Sequence, residues 1–316
     1  MGRLIFSRVL QMLQVLFVVT IVVFFVLRLV PGDPATVILG DNFTPEAYEE
    51  LRREMGLDQP IIWQYLLWIG GVLRGDLGYS YFLNQPVAVA LVERFIPTLQ
   101  LAVLALIFAL LIALPLGVAG GRRARGTADK TLSFMSVAGL AVPSFVLSLF
   151  MIQIFAVQLR WLPPAGYAPL SAGLWASLAF LMMPAVALGL VQAAVIGRIA
   201  RASVLDVGRA PFVRTAVAKG AGSTRVTIRH VLPNSMLPIL TAAGQSFGAL
   251  IAGAAVIETI FSIPGIGQLL VTSIGRRDFI VIQSVVLVTA VLYVALNLLI
   301  DLAYMIADPR VRIGRK

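Results

Sequence analysis

The chain has 316 residues, 59% of them apolar and only 13% charged, with a mean hydropathy of +0.94. A soluble domain is about half apolar and a quarter charged, so this composition excludes a water-soluble enzyme, a disordered tail and a nucleic-acid-binding module. The formal charge is still +10, from 25 Lys and Arg against 15 Asp and Glu. In so apolar a chain that excess reports membrane orientation. There is no cysteine, and His230 is the single histidine. No disulfide, iron–sulfur cluster, Cys-ligated zinc or multi-His metal site is therefore expected.

A helix crosses the ~30 Å hydrocarbon core with about 20 apolar residues. Six stretches qualify, near 9–30, 98–119, 132–157, 175–196, 236–257 and 280–305. The predicted fold class is all-α integral membrane, with six transmembrane helices. The first stretch is too long for the core of a cleaved signal, and Leu29-Val30-Pro31-Gly32-Asp33 does not resemble a small-residue cleavage site. Basic residues collect at Arg3 and Arg8, in the 120–131 loop, in the 197–235 loop and in the tail after residue 306. The positive-inside rule puts those four segments, both termini included, in the cytoplasm. Pro115, Pro143, Pro184 and Pro238 lie inside spans and predict kinks. Gly117, Gly189, Gly244, Gly248 and Gly253 predict close helix packing, the last two as four-residue pairs with Ala252 and Ile257.

No G-x-x-x-x-G-K-[ST] phosphate loop and no H-E-x-x-H occurs. Gly265-Ile266-Gly267 lacks the third glycine and βαβ context of a dinucleotide site. The middles of the spans hold no ionisable residue, unlike the usual proton- or ion-coupled carrier. Arg28, Glu258 and Asp301 lie near span ends, where snorkelling or interfacial water suffices. Gln153, Gln192, Gln245 and Asn297, with Gln100 and Gln283, either line a polar path or hydrogen-bond between helices. The pattern describes a conduit whose energy comes from a partner. A stand-alone channel or secondary carrier is the competing class.

Two polar segments carry most of the remaining information. In the outer segment, 31–97, Thr44-Pro45 reads as an N-cap and first helical residue, followed by Glu46, Glu49 and Glu50. Asp58-Gln59-Pro60 opens a second helix with an apolar stripe at Ile61, Ile62, Tyr65, Leu66 and Ile69. Trp63, Tyr65 and Trp68 suit a membrane interface. These helices either dock a partner or lie on lipid. In the inner loop, 197–235, Pro211 starts and Gly220 stops a two-turn helix, with Phe212 and Ala216 on one face and Val213 and Val217 on another. Ser223 or Thr224 caps a second short helix through Arg225, Val226, Arg229 and His230, which Leu232-Pro233-Asn234 ends before the fifth span. Such helices suit either a groove on another protein or anionic lipid.

Arg214-Thr215-Ala216, then Gly220, then Leu232-Pro233 resembles the "EAA…G…I-LP" motif of ABC importer permeases. Arg214 in place of Glu, and His230 in place of Ile, look like the dipeptide, oligopeptide and nickel branch. So do Leu29-Val30-Pro31-Gly32-Asp33-Pro34, Gly75-Asp76-Leu77-Gly78, Asp308-Pro309-Arg310 and the run Glu258-Thr259-Ile260-Phe261-Ser262-Ile263-Pro264-Gly265-Ile266-Gly267.

The resemblance implies a type I ABC importer transmembrane domain with an added N-terminal helix. Residues 1–30 would be that helix, 31–97 an extracytoplasmic loop, 98–305 the transmembrane domain and 306–316 a cytoplasmic tail. It implies a homologous second permease subunit, two ATPase subunits that hold ATP and Mg, and an extracytoplasmic binding protein, in a bacterial plasma membrane. This chain would be no enzyme and would bind no cofactor itself. Arg214, Thr215, Ala216, Lys219 and Gly220 would form the ATPase-coupling helix, and Leu232 and Pro233 would set the turn into the fifth span. Arg201 and Asp206 would support it. Peptides lead as substrate, with glutathione, a nickel chelate or an oligosaccharide as alternatives.

Overall fold

The computed structural model describes residues 2–29, 32–40 and 43–307; Val30, Pro31 and the Asp308-Pro309-Arg310 motif lie outside the described residues. Apart from a two-residue-per-strand hairpin, the regular structure of the described residues is helical. Among the described residues five helices are long and apolar enough to cross a membrane, and six if a bent pair counts as one span. The chain folds as two compact units, 1–96 with 264–294 and 97–263 with 295–316.

The first unit opens with α1 (Gly2–Leu29). Asp33 then caps α2 (Pro34–Leu39), accepting from the Ala35 N–H at 2.9 Å, with Pro34 in the first helical position. Gly32 takes φ +118°, a conformation that L side chains rarely adopt, and the Arg277 guanidinium occupies the space where a Cβ would stand. Thr44 caps α3 (Pro45–Glu54) as its spacing predicts. α4 (Ile61–Leu73) starts after Pro60, without a side-chain cap. It lies along the end of α1: Tyr65 and Trp68 pack on Phe24 at 5.3 and 5.8 Å between ring centroids, and the Tyr65 hydroxyl meets Thr20 Oγ1 at 3.0 Å. The sequence pattern misses α2 and the hairpin β1 (Tyr79–Ser80)/β2 (Gln85–Pro86), both too short to show a period.

Gly75-Asp76-Leu77-Gly78 builds the turn into that hairpin. Asp76 accepts from the Gly78 N–H at 2.8 Å, and both glycines have positive φ. The turn then docks on the start of the last helix. Ser80 donates to Asp278 Oδ2 at 2.5 Å, and Ser284 donates to the Leu77 carbonyl at 3.2 Å. Beneath them Val87 and Leu91 pack with Ile266 and Leu269 of α12 (Ile266–Arg276) and with Val281 and Val285 of α13 (Phe279–Ala307).

The second unit is organised by α5 (Val87–Arg122), which begins in the first unit, and α8 (Leu174–Gly208). Ala105, Ala109, Ala113, Gly117 and Gly121 recur every fourth residue on α5, and Gly189, Ala193 and Gly197 do so on α8. The two stripes meet. A Cβ on Gly189 would lie 2.6 Å from the Ala105 carbonyl oxygen, one on Gly117 2.7 Å from Ala200 Cβ, and one on Gly121 2.8 Å from the Arg201 carbonyl oxygen. Both helices run the same way, and their backbones approach as small residues in lipid allow. α11 (Leu232–Ile260) completes the core, with Ile239, Ala242 and Ala243 against the same stripe.

The helix that carries the second span starts at Val87, upstream of the apolar run near 98, and Pro97 sits inside it. Three expectations need correction. The third span is broken. α6 (Thr127–Ala141) and α7 (Ser144–Met151, extended by wider π-helical turns to Gln158) are bent by 98°. Val142 takes an extended conformation before Pro143, which a proline imposes on its predecessor. Glu258 does not snorkel. It is fully buried and accepts from Thr98 Oγ1 at 2.6 Å. Gly253 is not a packing contact in this chain, since a Cβ there meets nothing within 4 Å.

Gly117→Val should destabilise the purified protein by about 1–3 kcal/mol, the usual cost of overpacking, whereas Gly253→Ala should leave its thermal unfolding in detergent unchanged. Burial raises the Asp278 carboxyl above its ordinary range, against hydrogen bonds from Ser80 and the Val281 N–H. A raised folded-state pKa means that its contribution is present at low pH and is lost as pH rises through that value. Asp278→Asn should flatten this part of the pH–stability curve, measured by thermal unfolding from pH 4 upward.

Candidate functional site

α9 (Pro211–Ala218) lies where the prolyl start and glycyl stop place it. Its C-terminus is closed by two backbone bonds. The Gly220 N–H donates to the Val217 carbonyl at 2.9 Å, and the Ala221 N–H donates to the Ala216 carbonyl at 3.2 Å. This double closure needs a left-handed residue, and Gly220 supplies it at φ +82°. Lys219 is the C-cap.

The helix is seated on a small valine core. Val213 is 5% exposed and packs with Val204 of α8, Val226 and Val231, and Val118, Val207, Ala210, Ala216 and Ala221 surround them. Val213 and Ala216, three apart, therefore share the seated face. Phe212 and Val217 point outward, 46% and 56% exposed, alongside exposed Arg214 and Thr215. The expected pairings of Phe212 with Ala216 and Val213 with Val217 are corrected accordingly, because the core lies between those two stripes. The result is a two-turn helix whose inner face is fixed and whose outer face presents apolar side chains between cationic ones.

The next turn differs from expectation. α10 (Ser223–Val226) starts at Gly222, with no side-chain cap, and Ser223 Oγ instead accepts from Arg122 Nη2 at 2.9 Å. The helix does not stop at Leu232-Pro233. It passes through a π-helical turn, Thr227–Val231, straight into α11, so that 223–260 is one continuous span. The Leu232 N–H reaches back five residues to the Thr227 carbonyl. Pro233 has no N–H to give and its ring crowds the preceding turn; the wider turn makes room. The Asn234 side chain donates to the His230 carbonyl at 2.7 Å, satisfying a backbone group in the disturbed turn. Leu232 is half-buried and, with Leu114, Pro115, Val118, Arg122 and Met236, lines an open groove of about 490 Å³ beside the valine core.

Arg201 carries a role that its position before the motif did not reveal. It forms a two-point ion pair with Asp129 of α6, through Nε and, at 2.9 Å, through Nη2. Asp129 also accepts from the Arg125 N–H at 2.7 Å. The pair fixes the start of α6 to α8 just below the glycine crossing. No sequence signal joins residues 72 apart in this way. Asp206 is exposed. Of the neutral polar candidates, Gln153 and Gln245 are exposed, whereas Gln192 and Asn297 are half-buried, and the four lie on different elements. Gln245 belongs to an exposed face of α11 that continues through Ala249, Ala252 and Val256. Gln100 accepts from the Tyr167 hydroxyl at 2.8 Å, so it bonds within the protein.

The model of the family described as "Binding-protein-dependent transport system inner membrane component" matches residues 113–313, and that of the corresponding N-terminal domain matches residues 1–102. A probable peptide ABC transporter permease protein of Sinorhizobium fredii is 41% identical over 312 residues, covering 99% of this chain and 100% of that protein. A glutathione transport system permease protein of Escherichia coli is 36% identical over 306 residues, covering 97% of each. Among solved structures, an inward-facing conformation of the MetNI methionine ABC transporter matches at a TM-score of 0.57 and 18% identity, over 69% of this chain and 96% of that one. The fold is thus a type I ABC importer transmembrane domain preceded by an added helix. The chain belongs to the binding-protein-dependent transport system inner membrane components and is a permease subunit of an ABC importer.

Proposed function

We propose that this permease forms half of the pathway through which di- or oligopeptides, delivered by an extracytoplasmic binding protein, enter the cell. The other half is a homologous second permease subunit. Two ATPase subunits hold the ATP and Mg and dock on the inner face, and this chain binds no cofactor. The chain sits in a bacterial plasma membrane with both termini on the cytoplasmic side, a reading that the distribution of basic residues supports under the positive-inside rule.

The observation that carries the reading is α9, with one face fixed on valines and the other exposed. Phe212 and Val217 enter an ATPase cleft, and Arg214 and Lys219 meet its acidic rim. When nucleotide closes the ATPase pair, α9 moves with it. Its seat on Val118, Val204, Val226 and Val231 passes that motion to α5, α8 and the helix entering α11 together. Nucleotide and binding protein shift the equilibrium between inward- and outward-open forms only as far as each prefers one of them.

Support for peptide as the substrate comes from relatives named as peptide permeases, which match from end to end at 41% and 39% identity. A second reading, glutathione, has support in relatives of that name at 36%. Uptake of labelled di- and oligopeptides and of glutathione, in a deletion strain complemented with this chain, separates the two. Restored uptake of neither would overturn both. A stand-alone channel would instead conduct when the chain is reconstituted without ATPase subunits.

Phe212→Ser with Val217→Ser should leave the fold intact and weaken ATPase association about tenfold, in line with the loss of one or two interface anchors. Ala216→Glu places a carboxylate against the valine core. Gly220→Pro cannot adopt φ +82° and lacks the N–H that closes the helix. Each should uncouple ATP hydrolysis from uptake while membrane insertion persists. Wild-type uptake by either would remove α9 from the coupling role.

A further inference from the structure

A cavity of about 490 Å³ opens at the C-terminal end of α1, and no part of the transport reading uses it. Its polar lining is Arg28, Asp33, Arg52, Gln59 and Gln64, all in the first unit. The charges do not cancel. Asp33 is already engaged: it accepts from the Ala35 N–H at 2.9 Å and the Tyr48 hydroxyl at 2.8 Å, and it pairs with Arg52 Nε at 3.5 Å. Arg52 spends its remaining nitrogens on the Tyr48 hydroxyl and the Leu57 carbonyl. Arg28 is the second cation. Its guanidinium stands 5.0 Å from the Phe24 ring centroid, and its Nε is buried without a hydrogen-bond partner. Gln64 donates to the Leu57 and Gln59 carbonyls, which leaves its Oε1 buried and without a donor. Asp33 also faces Arg28, so the cavity sets two guanidiniums against one carboxylate and leaves Arg28 Nε and Gln64 Oε1 without a hydrogen-bond partner. Leaving such polar atoms buried and unmatched is costly.

The place in the fold says what would match them. Val9–Leu29 is long and apolar enough to cross the membrane, so its end lies at headgroup depth. Leu29 and Ile61 line the cavity and are 82% and 41% exposed, and Ile62, next to Ile61 in sequence, is 67% exposed. A ligand with an anionic head, a donor beyond it and two apolar tails fits all three observations.

We infer that this cavity binds the headgroup of a membrane phospholipid. Arg28 holds the phosphodiester, Gln64 Oε1 accepts from the ammonium or hydroxyl of an ethanolamine or glycerol head, and the acyl chains lie along Leu29, Ile61 and Ile62. Guanidinium–phosphate contacts are short and charge-assisted, which suits a partly desolvated site.

The test uses the complete transporter, with this chain co-expressed with its partner subunits and extracted in mild detergent. Native mass spectrometry counts the phospholipids that each copy of the chain retains. The expected result is retained phosphatidylethanolamine or phosphatidylglycerol in the wild type, about tenfold less in Arg28→Gln, and partial retention in Arg28→Lys. Gln64→Leu should lower retention while keeping the Arg52–Asp33 pair, and it decides the matter if Arg28→Gln fails to assemble. Equal retention by wild type and variants overturns the proposal. A second arm adds short-chain phosphatidylglycerol or inorganic phosphate and follows thermal unfolding. Stabilisation by the lipid alone, lost in the variants, supports a headgroup site. Equal stabilisation by inorganic phosphate overturns the lipid assignment. Unchanged lipid retention with impaired docking of the binding protein would also overturn it, by giving Arg28 to a protein contact.

Discussion

Everything in the second unit depends on how closely α5 and α8 approach. Two helices in lipid gain little from burying apolar surface, because the acyl chains are as apolar as leucine. What holds them is backbone-to-backbone contact, and that needs side chains small enough to be absent. Gly189 against Ala105, Gly117 against Ala200 and Gly121 against Arg201 meet that need at successive points along one seam. The seam fixes the relative height of the two helices. Above it sit Leu101, Ala102, Leu181 and Leu188, and below it the Arg201–Asp129 pair and the valine core under α9. A mechanical signal entering at α9 thus reaches a seam with little slack, rather than a mobile layer of long side chains.

The legible part of the molecule was whatever carries a local signature. Span number and approximate position followed from apolar run length. α3 followed from Thr44-Pro45 and its acidic first turn, and α9 from Pro211 and Gly220. These are one-dimensional signals, because caps and stops act within a few residues of the backbone group they satisfy. The small-residue stripe on α5 is legible in principle as a four-residue repeat from Ala105 to Gly121.

The illegible part was whatever depends on residues far apart in the chain or on how a break is absorbed. Arg201 with Asp129, Ser80 with Asp278 and Thr98 with Glu258 join positions from 72 to 198 apart, and nothing local marks either partner. Glu258 reads as an interfacial residue from sequence because it lies just past the apolar run, two positions from the end of α11. Its orientation toward α5 decided otherwise. Proline was the most ambiguous signal. Pro97, Pro115, Pro184 and Pro238 lie within continuous helices, whereas Pro143 marks a sharp bend and Pro233 follows a widened turn. The ring imposes the same local constraint each time, and the packing around it selects the outcome.

The widened turn before Pro233 also acts as a phase adjustment. In an α-helix, residues five apart point about 140° away from each other. Val226 and Val231 are five apart and both enter the same valine core, because the turn between them winds more slowly. The extra residue rotates everything that follows. The azimuth of Gln245, Ala249, Ala252 and Val256 on α11 is thereby set by a turn that lies next to α9, some three helical turns or more upstream. Rewinding that turn to α-helical pitch would turn this face away from its present direction without moving α9 from its seat. The same few residues that hold the inner lever therefore index the rotation of the span above it.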